Sequence, residues 1–190
     1  MSTTSLVDLS NPSTTITIPD DISQPYNLIT FLAIAQKLDI DFLPITWPTA
    51  LSQIGAGSTA EIRQSPLSVH LSFAFKIEKD TKCVDEMDES QRPAKITSLF
   101  KILTSEISVL GHPAIREHPN INPLLGICWD ILPSGRVWPV FVFEKAALGD
   151  LASFAASKEG KDMSFETRLK LCVDVVTAVR DLHQSSKQNP

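Results

Sequence analysis

The apolar positions of this chain change period several times, and each change marks an element. Leu28, Phe31, Leu32, Ala35 and Leu38 recur at helical steps, so Asn27–Ile40 reads as a short amphipathic helix. Pro25 and Asn27 are suitable start signals, and the helix should pack on the domain C-terminal to it. Pro44 and Pro48 then bar a helix, leaving Phe42, Leu43 and Ile45 to begin an extended strand. Farther on the period becomes two. Leu71, Phe73, Phe75 and Ile77 fall on one side of a strand, and Ser72, Ala74 and Lys76 on the other. Asp80, Asp85, Glu86, Asp88 and Glu89 carry no core period, and this stretch, ended by Pro93, reads as a solvated loop. The helical stripe returns over Ile96–Leu110 with Leu99, Phe100, Leu103, Ile107 and Leu110. Leu124–Ile131 and Val137–Phe143 read as strands flanking the turn Pro133-Ser134-Gly135, a hairpin. After Gly149 the chain turns helical again. Ser164 suits an N-cap, Glu166 complements the helix dipole, and Phe165, Leu169, Cys172, Val173, Val176 and Leu182 form an apolar face. Residues 1–25 have no such period, are rich in Ser and Thr, and read as a disordered tail.

Composition narrows the classes. A chain of 190 residues that is 43% hydrophobic suits a globular protein of ordinary domain size. Its 17 Lys+Arg against 22 Asp+Glu give a net charge of −5. With no basic stripe to release phosphate counterions, a general nucleic-acid binder is excluded. No apolar run is long enough for a membrane helix, and Met1–Ser10 has neither a basic start nor an apolar segment of a secretory signal. Cys83, Cys128 and Cys172 are odd in number and widely spaced, which fits neither a disulfide framework nor a zinc site. An intracellular protein, cytoplasmic or nuclear, is the expectation.

Four features carry chemistry, and their order matters more than any one of them. In Ile54-Gly55-Ala56-Gly57-Ser58-Thr59-Ala60-Glu61-Ile62, two glycines permit a tight turn whose backbone N–H groups can approach phosphate oxygens; alone, such a turn is more often structural. Lys76 stands in an otherwise apolar strand, where an ammonium needs an anion unless it snorkels to water. Ala74 shares its face and leaves room for a flat ligand. Glu106, on the predicted Ile96–Leu110 helix, could pair with Lys76. Finally, the apolar strand ending at Phe143 leads into the short connection Glu144–Gly149, where free backbone groups at Glu144 and Ala146 could bond an adenine edge.

In this order the features resemble the protein kinase family over residues 50–183. Ile54, Gly55, Gly57 and Ile62 match the glycine-rich loop and its flanks, Lys76 the lysine of the Val-Ala-Ile-Lys strand, and Glu106 the glutamate of helix C. His118-Pro119-Asn120-Ile121 resembles the segment after that helix. Phe143 falls at the gatekeeper, Glu144 and Ala146 at the hinge, and Leu182-His183 at the end of helix E. Two departures are visible. Ala60 replaces the third glycine, and the acidic insertion stretches the Lys76-to-Glu106 spacing to 30 residues.

The resemblance implies an α+β fold: a kinase-like N-lobe, made of a twisted antiparallel sheet and helix C, then a hinge and the first helices of a truncated C-lobe. The expected organisation is a tail over 1–25, a leading helix and linker over 26–48, and a kinase-like domain over 49–190. Within that domain the N-lobe spans 49–143, the hinge 144–150, and the helix D and E region 151–190. It further implies ATP as ligand and phosphoryl transfer to protein hydroxyls as the family activity. Yet the catalytic loop His-Arg-Asp-Leu-x-x-x-Asn and the Asp-Phe-Gly segment, which supply the base and the magnesium ligands, are not among these residues. Val179-Arg180-Asp181-Leu182-His183 mimics the loop, but Ser186 stands where the family has Asn. No catalytic residue or metal ligand is therefore assigned. Three readings stay open. The chain is the N-terminal portion of a kinase domain, inactive by itself; or a pseudokinase-like module that binds ATP weakly; or an interaction module that binds no nucleotide. Magnesium is expected only together with the missing C-lobe. The partner is a protein substrate or a protein ligand, with no nucleic acid or membrane. An exposed apolar surface is expected after Ser164, and with it a marginal fold.

Overall fold

The computed structural model describes residues 26–46, 52–66 and 72–187. The readings made for residues 1–25, for Pro48 and for Leu71 lie outside these. The described elements run α1 (Leu28–Lys37), β1 (Phe42–Thr46), β2 (Ser52–Ala56), β3 (Ala60–Pro66) and β4 (Ser72–Glu78), followed by a 3-10 helix (Lys79–Glu86). Then come α2 (Arg92–Leu110), α3 (Pro113–Arg116), β5 (Leu124–Ile131), β6 (Val137–Glu144), α4 (Leu151–Ala156), α5 (Lys158–Lys161) and α6 (Phe165–Lys187). Among the described residues no helix is long and apolar enough to cross a membrane.

The six strands form one sheet in the order β1-β5-β6-β4-β3-β2. Five of them pair antiparallel, each with its neighbours, and β1 joins in parallel beside β5, so the sheet is mixed. A single row of paired residues crosses all six strands: Phe42, Ile127, Phe141, Lys76, Ile62 and Gly55. Residues directly opposite each other share a face, so the glycine turn, Lys76 and the apolar row stand on one side of the sheet.

That side is covered by α1 and α2. Ile127 and Phe141 from the sheet pack with Phe31 and Ala35 of α1 and with Leu99, Phe100, Leu103 and Ile107 of α2. Phe31 stacks on Phe141 at 6.4 Å between ring centroids, and Phe100 on Trp138 at 5.2 Å. Each fully buried ring of this kind contributes roughly 1.5–3 kcal/mol through removal of apolar surface from water. Phe75, Ile77, Cys128, Val140 and Val142 make a second cluster with Leu43, Ile45 and Phe73, as strand alternation requires. The Cys128 thiol, buried and close to the Asp130 carboxylate, is pushed up to about 12 and is chemically inert.

Local chemistry sets the element ends. Asn27 Oδ1 accepts from the Thr30 N–H at 3.0 Å and caps α1. Ser164 Oγ accepts from the Thr167 N–H at 3.2 Å and caps α6. The β5–β6 turn closes with Gly135 at φ 80°, a conformation that favours glycine.

Two expectations need correction. The helix expected from Ile96 begins at Arg92, because Pro93 sits in its first turn, where proline's missing N–H costs nothing. The acidic stretch is not a solvated loop through its first half. Lys79–Glu86 is a 3-10 helix whose Val84 is completely buried. Asp80 pairs with Lys95, Asp85 pairs with Arg136 at 2.8 Å, and Arg92 donates to the carbonyls of Val84 and Met87.

Candidate nucleotide site

The glycine segment forms the β2–β3 hairpin. Gly57 donates its N–H to the Ala60 carbonyl at 2.8 Å, and Gly55 pairs with Ile62. A Cβ on Gly55 would meet Ile62 at ordinary contact distance, 3.8 Å from its Cβ, and one on Gly57 would lie 3.6 Å from the Ala60 carbonyl. Neither glycine has a positive φ. The hairpin itself therefore does not demand glycine at 55 or 57; what their small size keeps open is the space beside the turn. Ile54 and Ile62 are both exposed, at 44% and 38%.

Beneath the hairpin, Lys76 projects from β4 and forms an ion pair with Glu106 of α2. Both side chains are partly buried, with 27% and 21% of their surface exposed, so the pair is shielded without being sealed off. Ala74 is buried on the same face two residues earlier and pairs across the sheet with Phe143 of β6. Phe143 packs against the main core, and the chain leaves the sheet at Glu144. The structure thus brings Ile62, Ala74, Lys76, Glu106 and Phe143 to the helix-covered side of the sheet, with the glycine turn at one edge.

The hinge differs from expectation at two carbonyls. The Glu144 carbonyl is not free; it accepts from Asn122 Nδ2 at 2.9 Å. An adenine amino group would have to share that oxygen. The Ala146 carbonyl accepts the Gly149 N–H at 3.2 Å in the following turn.

Glu78 was missed by sequence reasoning. It stands two residues beyond Lys76 on the same strand face, opposite Ala60, and is only 4% exposed. Burial pushes its carboxyl above the usual range. The Lys76 ammonium opposes that shift, and the Glu106 and Asp80 carboxylates reinforce it. The signal was present in the alternation, which places residues 74, 76 and 78 on one side. Lys79, next in sequence, bonds the Gly57 carbonyl through Nζ, while its N–H donates to the Thr59 carbonyl at 2.9 Å. These two bonds tie the glycine turn to the end of β4.

Beside Lys76, Glu106 is committed to the ion pair and Glu78 is buried. Among the described residues there is no group of three or more His, Cys, Asp or Glu placed to hold a metal ion. The catalytic-loop mimic lies inside α6. Asp181 there pairs with Arg180 at 2.7 Å and with His118 Nε2 at 3.3 Å.

A mixed six-stranded sheet with a glycine hairpin at one edge, covered on one side by helices and joined to α2 by a lysine–glutamate pair, is a kinase-like fold, and the fold class is α+β. No protein-family model and no curated protein matches the sequence. Among solved structures, the chain is similar to an apo pseudokinase at 21% identity and a TM-score of 0.47, covering 70% of this chain and 43% of that one. It is also similar to the pseudokinase DRIK1 (drought responsive inactive kinase 1), solved bound to ENMD-2076, at 26% identity and a TM-score of 0.42, covering 70% and 45%. The chain spans less than half the length of either structure.

Proposed function

We propose that this chain is a kinase-like module that binds ATP weakly between the glycine hairpin and Lys76 and transfers no phosphate by itself. The observation that supports this reading is the ion pair between Lys76 and Glu106, 30 residues apart, on the same sheet face as the glycine turn. An ammonium held in this way can meet phosphate oxygens, and the space beside Gly55 and Gly57 lets backbone N–H groups approach them. Phe143 and Ala74 offer an apolar wall to an adenine ring. Phosphoryl transfer needs a base for the acceptor hydroxyl and ligands for magnesium, and neither stands beside Lys76.

Titration with ATP tests the reading. At ten times Kd, a ligand that binds only the folded state stabilises it by about 1.4 kcal/mol, or roughly 3–5 °C in Tm for a chain of this size. Lys76→Met should remove that shift. A flat titration of the natural sequence would refute nucleotide binding. Phosphate incorporation from labelled ATP into a generic protein substrate should stay at background.

Glu78 favours a second reading, an interaction module that binds no nucleotide. With Glu78 and Glu106 both ionised, the three groups Lys76, Glu78 and Glu106 together carry −1, which opposes a polyphosphate at that point. Glu78→Gln separates the two readings. It should strengthen ATP binding if the pocket takes nucleotide, and leave a flat titration flat if it does not.

A further inference from the structure

A cavity of about 500 Å³ opens between the start of α1, the start of α2 and the β5–β6 turn. Tyr26, Pro93 and Ile96 line it with apolar surface, and Arg92 and Arg136 line it with charge. Neither guanidinium is used up. Arg92 donates through Nε and Nη2 to the carbonyls of Val84 and Met87, and Arg136 pairs with Asp85 through Nε. That leaves Nη1 of Arg92 and both terminal nitrogens of Arg136 for an anion. The Lys101 ammonium, 6.0 Å from the centre of the Tyr26 ring, adds a third positive charge nearby. Glu89, the one carboxylate among the described lining residues, is exposed to solvent. All of these residues precede β6. Arg136 stands just before that strand and Glu144 ends it, so its eight residues hold the cavity about 26 Å from the point where the chain leaves the sheet toward α6.

We propose that residues 18–24, Ile-Pro-Asp-Asp-Ile-Ser-Gln, dock in this cavity as an extended strap, with Ile22 on the apolar lining and Asp20 bonded to Arg136. Continuity selects this occupant first. The segment runs into Tyr26 and Asn27, which themselves line the cavity. Asp20 stands six residues before Tyr26, a reach of about 20 Å, so no long loop has to close. A tether this short gives roughly millimolar effective concentration, so contacts too weak to hold a free peptide suffice. Charge selects it as well. Residues 1–25 contain three Asp and no Lys or Arg, whereas the open donors of the cavity are guanidinium groups. Pro25 keeps Gln24 extended, and along an extended chain Asp20 and Ile22 share the side of Tyr26 while Asp21 faces away. A segment with too few apolar residues for a core of its own can still order against such a surface. The cavity shares no residue with the glycine hairpin, Lys76 or the Glu144 connection, so the proposal stands whether or not the module binds ATP.

Disulfide trapping in the 190-residue chain tests it. Cys83→Ser and Cys172→Ser first remove the exposed thiols. Ile22→Cys, which keeps a small apolar side chain there, is then combined with Thr97→Cys or with Ser98→Cys. Both helix positions are exposed, but Thr97 lines the cavity and Ser98 lies about 100° around α2. Mild oxidation should close the 22–97 bridge several-fold faster than the 22–98 bridge, at a rate independent of protein concentration, read by mass on intact chains. Asp20→Lys should slow the 22–97 bridge several-fold, Asp21→Lys should slow it less, and raised salt should act as Asp20→Lys does. These changes lie outside both sheet clusters, and circular dichroism should be unaltered. Equal rates at 97 and 98, a rate indifferent to Asp20→Lys and to salt, a larger effect of Asp21→Lys, or bridges formed between chains rather than within one would each overturn the proposal.

Discussion

Glu78 is the residue on which the character of the candidate site turns. A carboxyl group that is raised by burial binds its proton more tightly folded than unfolded. Such a group holds stability back at neutral pH and ceases to do so as pH falls below its folded value. Glu78→Gln should therefore raise the Tm at pH 7 and leave it nearly unchanged at acidic pH, measured by thermal melts across that range. A destabilised Glu78→Gln at neutral pH would show instead that the charged form is used, as a second anchor for Lys76. Lys76 and Glu106 were legible from the sequence because each matched a position in an ordered series of motifs. Glu78 matched no motif, and its burial depends on the pairing with Ala60 and on the 3-10 helix after β4. The bond from Asn122 to the Glu144 carbonyl was illegible for a similar reason, since it joins residues 22 apart through a loop with no period.

At the scale of elements, the apolar periods marked strands and helices well and their pairing poorly. Phe42, Leu43 and Ile45 read as a strand, but nothing local says that it lies parallel to β5. Gly126 gives the room for the pairing, since a Cβ there would sit 2.7 Å from the Asp41 carbonyl oxygen and 2.8 Å from Leu43 Cγ. Its φ of +157° is a further conformation rare for other residues. The same Asp41 carbonyl accepts the Ile127 N–H at 2.9 Å, so the close approach is what lets β1 join the sheet. Gly126→Ala should push β1 away and cost roughly 1–3 kcal/mol, the usual range for overpacking. Urea unfolding would register the loss, and hydrogen exchange should localise it to Phe42–Thr46. The 3-10 helix shows the same limit of local reading. Its acidic residues look solvated because their partners, Lys95 and Arg136, lie on α2 and just before β6.

At the scale of the whole molecule, the described residues build one sheet with α1 and α2 covering it, and α6 is attached to that body by few contacts. His118 is central to that attachment. Its Nδ1 accepts from the Asn120 N–H at 3.1 Å, so Nε2 is the nitrogen that carries a proton toward Asp181. The Asp181 carboxyl is held below the usual range, first by its bond from Arg180 and then by His118. The same loop supplies Asn120 to Asp174. These polar ties, with Ala178, fasten a helix whose far face is apolar and exposed, as the stripe of Phe165, Leu169 and Val176 foretold. The sequence could show that stripe but not the docking, because the docked face is small and polar. His118→Ala removes the Asp181 contact while leaving both sheet clusters untouched, since none of their residues is His118. Losing one such hydrogen bond is worth about 1 kcal/mol, so amide exchange in α6 should accelerate roughly fivefold. Exchange in β4, β5 and β6 should not change. Acid should act in the same direction: once pH falls through the lowered value of Asp181, the carboxylate is lost and α6 loosens, in the natural sequence as in the variant. Equal acceleration across the sheet and α6 would mean instead that the chain unfolds as a single cooperative unit, with α6 as integral to it as α2.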